Sequence, residues 1–421
     1  MGGRLLRTRR FLPLFLVQAT GCLNDNLFKN AMVLLLVFRS AQAGAGFAAI
    51  AGGVFILPYA LFSAVSGQLA DRFDKARLIR LNKISELLLM ILGAVALSAA
   101  GAGGLLAVLF GLGLQATLFG PLKYGILPQH LEPAELLAGN ALIEAATFAA
   151  ILLGTILGGW LIGGPNGPAM VGGLGILLSA AGLAAAWFVP AAPGSDQVRV
   201  EANLAAGTWR VLRAARDTAP VWRAILGLSW FWAVGATYLA LFPVLVRDLF
   251  HADNRLVTLL LAGFVLGTAL GALLAGRLLR GAVSFRLARP SGLALSAATI
   301  LFAALCRSGA AAHWTSPGAM LGSAAGIAAL LALLVVAIAG GVFSLPLNAM
   351  IQRHAAPSER SRMVAANNVM NALFMVAGAG VIALLSALGL SPLATLGLAA
   401  LATVPVAWRL GKAAPPDRAA G

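Results

Sequence analysis

The stretch GQLADRFDKAR, residues 67–77, lies between two long apolar runs at about residues 47–70 and 78–100. Each run has the ~20 residues that an α-helix needs to cross the ~30 Å hydrocarbon core of a bilayer. The charged side chains of this stretch, from Asp71 to Arg77, lie in the short connection, where water can hydrate them. The stretch therefore predicts a polar loop between two membrane-spanning helices.

The same alternation of apolar runs and polar connections continues along the whole chain. Hydrophobic residues make up 60% of the 421 residues and charged residues only 10%, against about 25% charged residues in soluble domains. This composition excludes a soluble protein and predicts an all-α membrane protein with twelve spans. The spans are predicted at about 11–37, 47–70, 78–100, 103–127, 138–163, 168–190, 221–247, 255–280, 287–307, 321–352, 361–388 and 390–410.

A longer polar connection divides the spans into six and six. We predict an N-terminal six-helix half at residues 1–190, a cytoplasmic linker at 191–220 and a C-terminal six-helix half at 221–421. Most of the 30 Lys and Arg residues lie in the two termini, the linker and the loops on the same side. Because such loops stay in the cytoplasm, both termini are predicted to be cytoplasmic. The net charge of +16 is thus a topology signal, and nucleic acid is not an expected partner.

The two halves also resemble each other weakly. Matching residues recur at offsets close to half the chain length, and a duplication with changed loops explains such offsets. Parallel six-helix repeats indicate the major facilitator architecture, in which the substrate site lies between the repeats near the membrane midplane. The matching residues are Gly21 with Gly235, Phe28 with Phe242, Pro121 with Pro346, Asn140 with Asn367 and Glu144 with Asn371.

Span 1 carries polar residues that lipid disfavours. At 100° per residue, Gln18, Gly21, Cys22, Asp25 and Lys29 share one arc of the helix, about 100° wide. A charge at the bilayer centre costs about 3 kcal/mol or more, so this arc is expected to face the bundle interior. Asp25 and Lys29 are four residues apart and can form an ion pair. The arc is therefore either a binding surface for a polar head group or a helix-packing ion pair.

Span 5 repeats this pattern. Asn140, Glu144, Thr147, Gly154 and Gly158 fall on one stripe, in which the glycines permit close helix packing. Glu144 is the stronger candidate for a binding residue. Asn140 is open to a second interpretation, as a solvated residue at the start of the helix.

The rest of the polar pattern is asymmetric between the halves. Asn82, Lys83 and Glu86 in the first turns of span 3 predict an ion cluster at the cytoplasmic side with a gating or structural role. Spans 7–12 have almost no charge in their middles, and their main polar residues are Asn367, Asn368 and Asn371. A polar half facing an apolar half suits an amphiphilic substrate better than a sugar or an inorganic ion.

The loop between spans 2 and 3 resembles the loop signature of the major facilitator superfamily. Gly67, Asp71, Arg72 and Lys75 match this signature, and Asp74 stands where it usually has a glycine. The resemblance implies that these residues form a gating latch at the cytoplasmic side.

Four longer segments resemble the lysophospholipid transporter branch of that superfamily. They are residues 24–30 (NDNLFKN), 120–127 (GPLKYGIL), 139–154 (GNALIEA continuing to ILLG) and 341–349 (GVFSLPLNA). The resemblance implies a transporter that flips lysophospholipids such as lysophosphatidylethanolamine from the outer to the inner leaflet of the bacterial inner membrane. It also implies a separate acyltransferase on the cytoplasmic side as a partner, besides the membrane lipids themselves.

The same resemblance implies where the head group binds. By motif, the head-group residues are Asp25, Lys123, Asn140 and Glu144. Asn26, Lys29 and Tyr124 belong to the same segments and complete the predicted substrate site.

Span 7 departs from the family pattern. Two residues after the Gly235-Ala-Thr triplet, where the family pattern has an arginine, this chain has Leu239. Lys29 or Lys123 must therefore supply the positive charge, unless the substrate differs.

Two other functions remain open: a proton-coupled drug or metabolite antiporter using Asp25 or Glu144, and a membrane subunit that docks an acyltransferase without transporting. The sequence predicts no catalytic residues, cofactor or metal site. Cys22 and Cys306 both lie in apolar runs, and no histidine has the spacing of an acyltransferase.

Overall fold

All elements of the described chain are helices. The computed structural model describes residues 2–39, 45–99, 101–132, 135–195, 200–201, 203–252, 254–279, 284–311, 314–354 and 360–412. Twelve helices in these ranges exceed 20 residues, which confirms the predicted number of spans. The first six are α1 (Leu12–Arg39), α2 (Ala45–Arg72), α3 (Lys75–Ala99), α4 (Ala102–His130), α5 (Leu136–Ile162) and α6 (Gly167–Trp187).

The remaining six helices follow the central connection. They are α7 (Ala219–Asp248), α8 (Asn254–Leu279), α9 (Ala288–Ala311), α10 (Ala324–His354), α11 (Arg360–Ala387) and α12 (Pro392–Lys412).

Eleven of the twelve long helices in the described chain are apolar enough to cross a membrane by composition alone. The exception is α1, because the polar segment between Gln18 and Asn30 lowers its hydropathy. At 28 residues, α1 is nevertheless longer than a spanning helix requires. The chain is a multi-pass membrane protein.

The chain folds into two compact units. The first comprises Met1–Ala214 and Ala356–Val369, and the second comprises Ala215–Ala355 and Met370–Gly421. Helix α11 begins in the first unit and ends in the second.

A short amphipathic helix, Leu204–Asp217, lies within the predicted linker. Val211 and Ala215 are buried, whereas Trp209, Arg213 and Arg216 are exposed. Residues 196–199 and 202 of the predicted linker lie outside the described residues.

In the first unit, α1 and α5 pack with their backbones in close approach. A Cβ atom at Gly154 would lie 2.5 Å from the carbonyl oxygen of Leu23, and one at Gly158 would lie 2.5 Å from that of Leu27. Any side chain at either position would force the helices apart. The close packing predicted from the glycines of span 5 is confirmed.

The second unit has an apolar core rich in aromatic residues. Tyr238 and Phe242 of α7 are almost fully buried and pack against Phe264 of α8. The Tyr238 hydroxyl forms a 2.6 Å hydrogen bond with Thr299 Oγ1, which provides the polar partner that a buried phenol needs.

A proline interrupts the hydrogen-bond ladder of α4. Pro121 has no N–H, so it cannot donate to the carbonyl oxygen of Thr117, four residues earlier. The buried Ser66 hydroxyl of α2 donates to that oxygen at 2.9 Å. A side chain of a neighbouring helix thus satisfies the carbonyl that the proline leaves free, as lipid requires.

We expect Ser66→Ala to lower the free energy of unfolding by about 1 kcal/mol, because the buried Thr117 carbonyl loses its donor. In a Pro121→Ala background, residue 121 regains its N–H and can donate to the same carbonyl. Ser66→Ala should then cost clearly less. Thermal unfolding of the four purified proteins in detergent measures both effects; equal losses in the two backgrounds would contradict this account.

Gly154→Ala should destabilise the protein and reduce its yield in the membrane, since the new methyl group meets the α1 backbone. Gly173→Ala in α6 is the matched control, because no atom lies within 4 Å of a Cβ at that position. Detergent-extracted yield and melting temperature are the measurements. A neutral Gly154→Ala would show that α1 and α5 can separate freely.

Candidate functional site

The polar side of α1 lies at the centre of a group of charged side chains in the first unit. Asp25 of α1, Lys83 of α3, Lys123 of α4 and Glu144 of α5 all act electrostatically on the Cys22 thiol. Four helices thus place a charged residue within electrostatic range of this thiol. Three of the predicted head-group residues, Asp25, Lys123 and Glu144, are among them.

Asp25 and Lys29 do not form the ion pair that their spacing allows. Oδ1 of Asp25 is buried and has no hydrogen-bond partner among the described residues. The Lys29 Nζ atom lies 5.2 Å from the centroid of the Phe55 ring of α2. The aromatic face competes with the carboxylate for the ammonium group, and sequence spacing along one helix cannot reveal a competitor on another.

Glu144 is held by a residue of the neighbouring helix. The Tyr124 hydroxyl of α4 donates a hydrogen bond to Oε1 of Glu144. The Lys123 Nζ atom lies 4.7 Å from the centroid of the Tyr124 ring. Lys123, Tyr124 and Glu144 therefore form one cluster across α4 and α5.

The two predicted asparagines have different surroundings. Asn140 lies one helical turn before Glu144 and is half-buried. The Asn26 amide donates to the Cys22 carbonyl oxygen at 2.8 Å, and its Cβ faces Gly154 of α5. Asn26 thus contacts the surface where α1 packs on α5. Nearby, Gln18 Nε2 donates to Thr147 Oγ1 at 2.7 Å, which ties the same two helices together.

Lys83 and Glu86 form an ion pair inside the first unit. Their side chains are 1% and 0% exposed, and Lys83 Nζ lies 2.5 Å from Oε2 of Glu86. The predicted cluster of span 3 is thus an interior ion pair. A buried pair is stable only where further hydrogen bonds satisfy its remaining polar atoms.

Buried amides provide those hydrogen bonds. Gln115 Nε2 of α4 donates to Oε2 of Glu86 at 2.7 Å and to Oδ1 of Asn82 at 2.9 Å. Asn24 Nδ2 of α1 donates to Oε1 of Glu86 at 3.3 Å and to Ser179 Oγ of α6 at 2.9 Å. This buried polar network joins four helices.

Sequence reasoning missed Gln115, Ser179 and Asn24 as members of this network. Each stands alone among apolar neighbours or beside more conspicuous charges. The sequence did contain one signal for two of them: Gln115 and Ser179 are single polar residues in the apolar runs of spans 4 and 6, and lipid disfavours such a residue unless it has a partner.

The loop between α2 and α3 binds the chain segment that follows α6. Asp74 Oδ1 accepts a hydrogen bond from the Arg77 backbone N–H, and Oδ2 accepts one from the Ala192 N–H at 2.7 Å. The Ser195 N–H donates to the Asp71 carbonyl oxygen at 2.8 Å. The aspartate that replaces the usual glycine therefore caps α3 and holds this segment.

The remaining latch residues differ in exposure. Gly67 and Lys75 are buried, whereas Arg72 is exposed and its guanidinium lies 5.5 Å from the centroid of the Phe73 ring. Whether they gate transport stays a prediction.

In the described part of the chain, no group of His, Cys, Asp and Glu side chains could hold a metal ion. Leu239 of α7 is 48% exposed and provides no charge. The lysines near Asp25 and Glu144 all belong to the first unit.

Known proteins are similar to this chain in sequence and in fold. Residues 14–379 match the family model of the Major Facilitator Superfamily. The lysophospholipid transporter LplT of Cronobacter sakazakii is 30% identical over 312 residues, which cover 71% of this chain and 69% of that protein. LplT of Yersinia enterocolitica is 28% identical over 318 residues, covering 71% and 68%.

Solved structures agree on the fold. The human organic anion transporter MFSD10 matches with a TM-score of 0.73 at 16% identity, over 96% of this chain and 98% of that one. The fucose:proton symporter FucP of E. coli matches with a TM-score of 0.66 at 13% identity, over 96% and 97%. Because the family model covers most of the chain and LplT proteins align over most of their length, the chain belongs to the Major Facilitator Superfamily of membrane transporters, in the branch that contains LplT.

Proposed function

We propose that this protein transports lysophospholipids, such as lysophosphatidylethanolamine, from the outer to the inner leaflet of the bacterial inner membrane by alternating access. The observation that carries the proposal is the cluster of Lys123, Tyr124 and Glu144 across α4 and α5, together with the buried, unpartnered Oδ1 of Asp25 on α1. These residues come from the segments that resemble the lysophospholipid transporter branch.

The chemistry of this cluster suits a zwitterionic head group. A phosphoethanolamine group carries a phosphate anion and an ammonium cation a few ångströms apart. Asp25 and Glu144 can bind the ammonium group, and Lys29 and Lys123 can bind the phosphate through charge-assisted hydrogen bonds. The buried Asp25 oxygen without a partner supports this role, because an unsatisfied buried carboxylate oxygen is costly until a donor arrives.

The positive charge that the family pattern places at position 239 has to come from elsewhere. Lys29 and Lys123 are the candidates. Neither is held in a salt bridge among the described residues; both ammonium groups instead lie against aromatic rings. Breaking such a contact costs about 0.5–2 kcal/mol, so either lysine can turn to a phosphate.

The apolar spans of the second half suit the acyl chain. Lipid is as apolar as leucine, so a methylene group gains almost nothing on moving from the bilayer to an apolar protein surface. We further propose that the termini and the loop at residues 67–77 are cytoplasmic, where this loop acts as the gating latch. A separate acyltransferase on that side would restore the second acyl chain.

Asp25→Asn should leave the fold intact and lower lysophosphatidylethanolamine uptake about tenfold or more, because the ammonium group loses a charged acceptor. The measurement is uptake of labelled lipid by cells that lack their own transporter, normalised to the amount of protein in the membrane. Asp248→Asn is the matched control, since that aspartate pairs with Arg247 at the protein surface. Uptake at the wild-type rate by Asp25→Asn would remove Asp25 from the site.

Competition experiments should show strong dependence on the head group and weak dependence on acyl length. Unlabelled lysolipids with chains of different length should compete about equally, whereas free fatty acids should not compete.

Transport by purified protein in liposomes, measured with and without a pH gradient, separates this function from a proton-coupled antiporter. Sharp selectivity for chain length with indifference to the head group would contradict the proposal.

A further inference from the structure

Two aromatic rings of α2 lie in the region of Lys29 and Asp25 of α1. Phe55 and Tyr59 are one turn apart on α2, with ring centroids 6.3 Å apart. Both are half-buried. Asp25 acts electrostatically on Tyr59 and on Lys29, and Lys29 Nζ lies over the Phe55 ring. One carboxylate, two rings and one ammonium group therefore share this part of the first unit.

The backbone of α2 is fixed at the position of Phe55. A Cβ atom at Gly113 of α4 would lie 2.2 Å from the Phe55 carbonyl oxygen. The two helices are thus in backbone contact at this residue. The backbone is held by this helix contact, and the Phe55 side chain packs against the apolar cluster of the first unit that contains Leu109 and Leu112.

Three lysines of the first unit lie over aromatic rings, and a comparison of Lys83 with Lys29 shows how their pairing differs. Lys83 Nζ lies 5.5 Å from the Phe119 ring centroid, but it also forms the buried ion pair with Glu86. Lys29 has no such ion pair among the described residues, although Asp25 is one turn away and has a buried oxygen without a partner. The Phe55 contact is therefore one that another cation can take over.

We propose that Asp25, Phe55 and Tyr59 form a subsite for the ammonium group of the lysolipid, and that Lys29 occupies the ring face until the lipid ammonium displaces it. The displaced Lys29 then binds the lipid phosphate. This inference rests on the proposed function and specifies which head groups that function accepts.

The exchange of ligands is favourable because it satisfies groups that are unsatisfied before it. The ring exchanges one ammonium group for another, so the cation–π contact is conserved. The Asp25 oxygen gains a donor, and Lys29 gains an anionic partner. A head group without an ammonium group, such as phosphoglycerol, cannot displace Lys29 in this way. The subsite should therefore discriminate between head groups by their cation.

Phe55→Leu tests the subsite, because it keeps an apolar side chain and removes the aromatic face. Uptake of lysophosphatidylethanolamine and of lysophosphatidylglycerol is measured in the same cells, and the result is their ratio, which does not depend on the amount of transporter. We expect the ratio to fall about fivefold, the effect of losing a cation–π contact of about 1 kcal/mol. Phe55→Tyr, which keeps an aromatic face, should retain the wild-type ratio.

Phe119→Leu is the matched control, since it removes the ring under Lys83, a lysine that has an ion-pair partner. Its ratio should equal that of the wild type, because Lys83 stays paired with Glu86. Tyr59→Leu is a second test variant, which removes the other ring of the subsite. It should also lower the ratio of lysophosphatidylethanolamine to lysophosphatidylglycerol uptake, and it keeps the test valid if Phe55→Leu folds poorly.

The outcomes separate the two levels of the proposal. A wild-type protein that takes up neither lysolipid contradicts the proposed function itself. A wild-type protein that takes up either lysolipid, with ratios unchanged in Phe55→Leu and Tyr59→Leu, overturns the ammonium subsite alone.

Discussion

The ion pair between Lys83 and Glu86 is the contact on which the polar interior of the first unit depends. A carboxylate or an ammonium group in a membrane-embedded protein is costly unless it has a partner or faces a cavity in the bundle. Glu86 accepts hydrogen bonds from Gln115 and Asn24 as well, so the pair also binds α1 and α4 to α3. Removing either charge would leave the other buried without compensation, a loss of several kcal/mol.

Around this pair, the protein keeps two kinds of polar group. Those of the buried network have partners on neighbouring helices, and their role is to hold α1 in position. Asp25, one residue after Asn24, has a buried oxygen with no donor among the described residues, and Lys29 forms no salt bridge there and lies over the Phe55 ring. Oδ1 of Asn24 also lacks a donor, but its amide nitrogen is bound within the network. A preorganised site is expected to have its binding groups, here Asp25 and Lys29, next to residues that a hydrogen-bonded network holds in place.

Hydropathy was sufficient to predict the spans, because the thickness of a bilayer imposes a minimum length on every apolar helix. The close packing of α5 was also predictable, though not that α1 is its partner, since small residues on one stripe of a membrane helix let a second backbone come close. The spacing of Asp25 and Lys29 allowed an ion pair that the structure does not contain, because spacing along one helix ignores Phe55 on the next. The partners of Glu86 could not be predicted, since a lone Gln115 or Ser179 gives no indication of which distant residue it contacts. Long-range contacts between helices are the information that one sequence does not carry.

The close approach of α5 to α1 at Gly154 and Gly158 has a consequence for motion. Two helices whose backbones touch cannot slide past each other without a collision between main-chain atoms. Asp25 and Glu144, which these helices carry, therefore stay at a constant separation as long as this packing holds. In the transport proposed above, the lipid head group would then stay bound in a site of fixed dimensions, instead of being passed from one residue to the next.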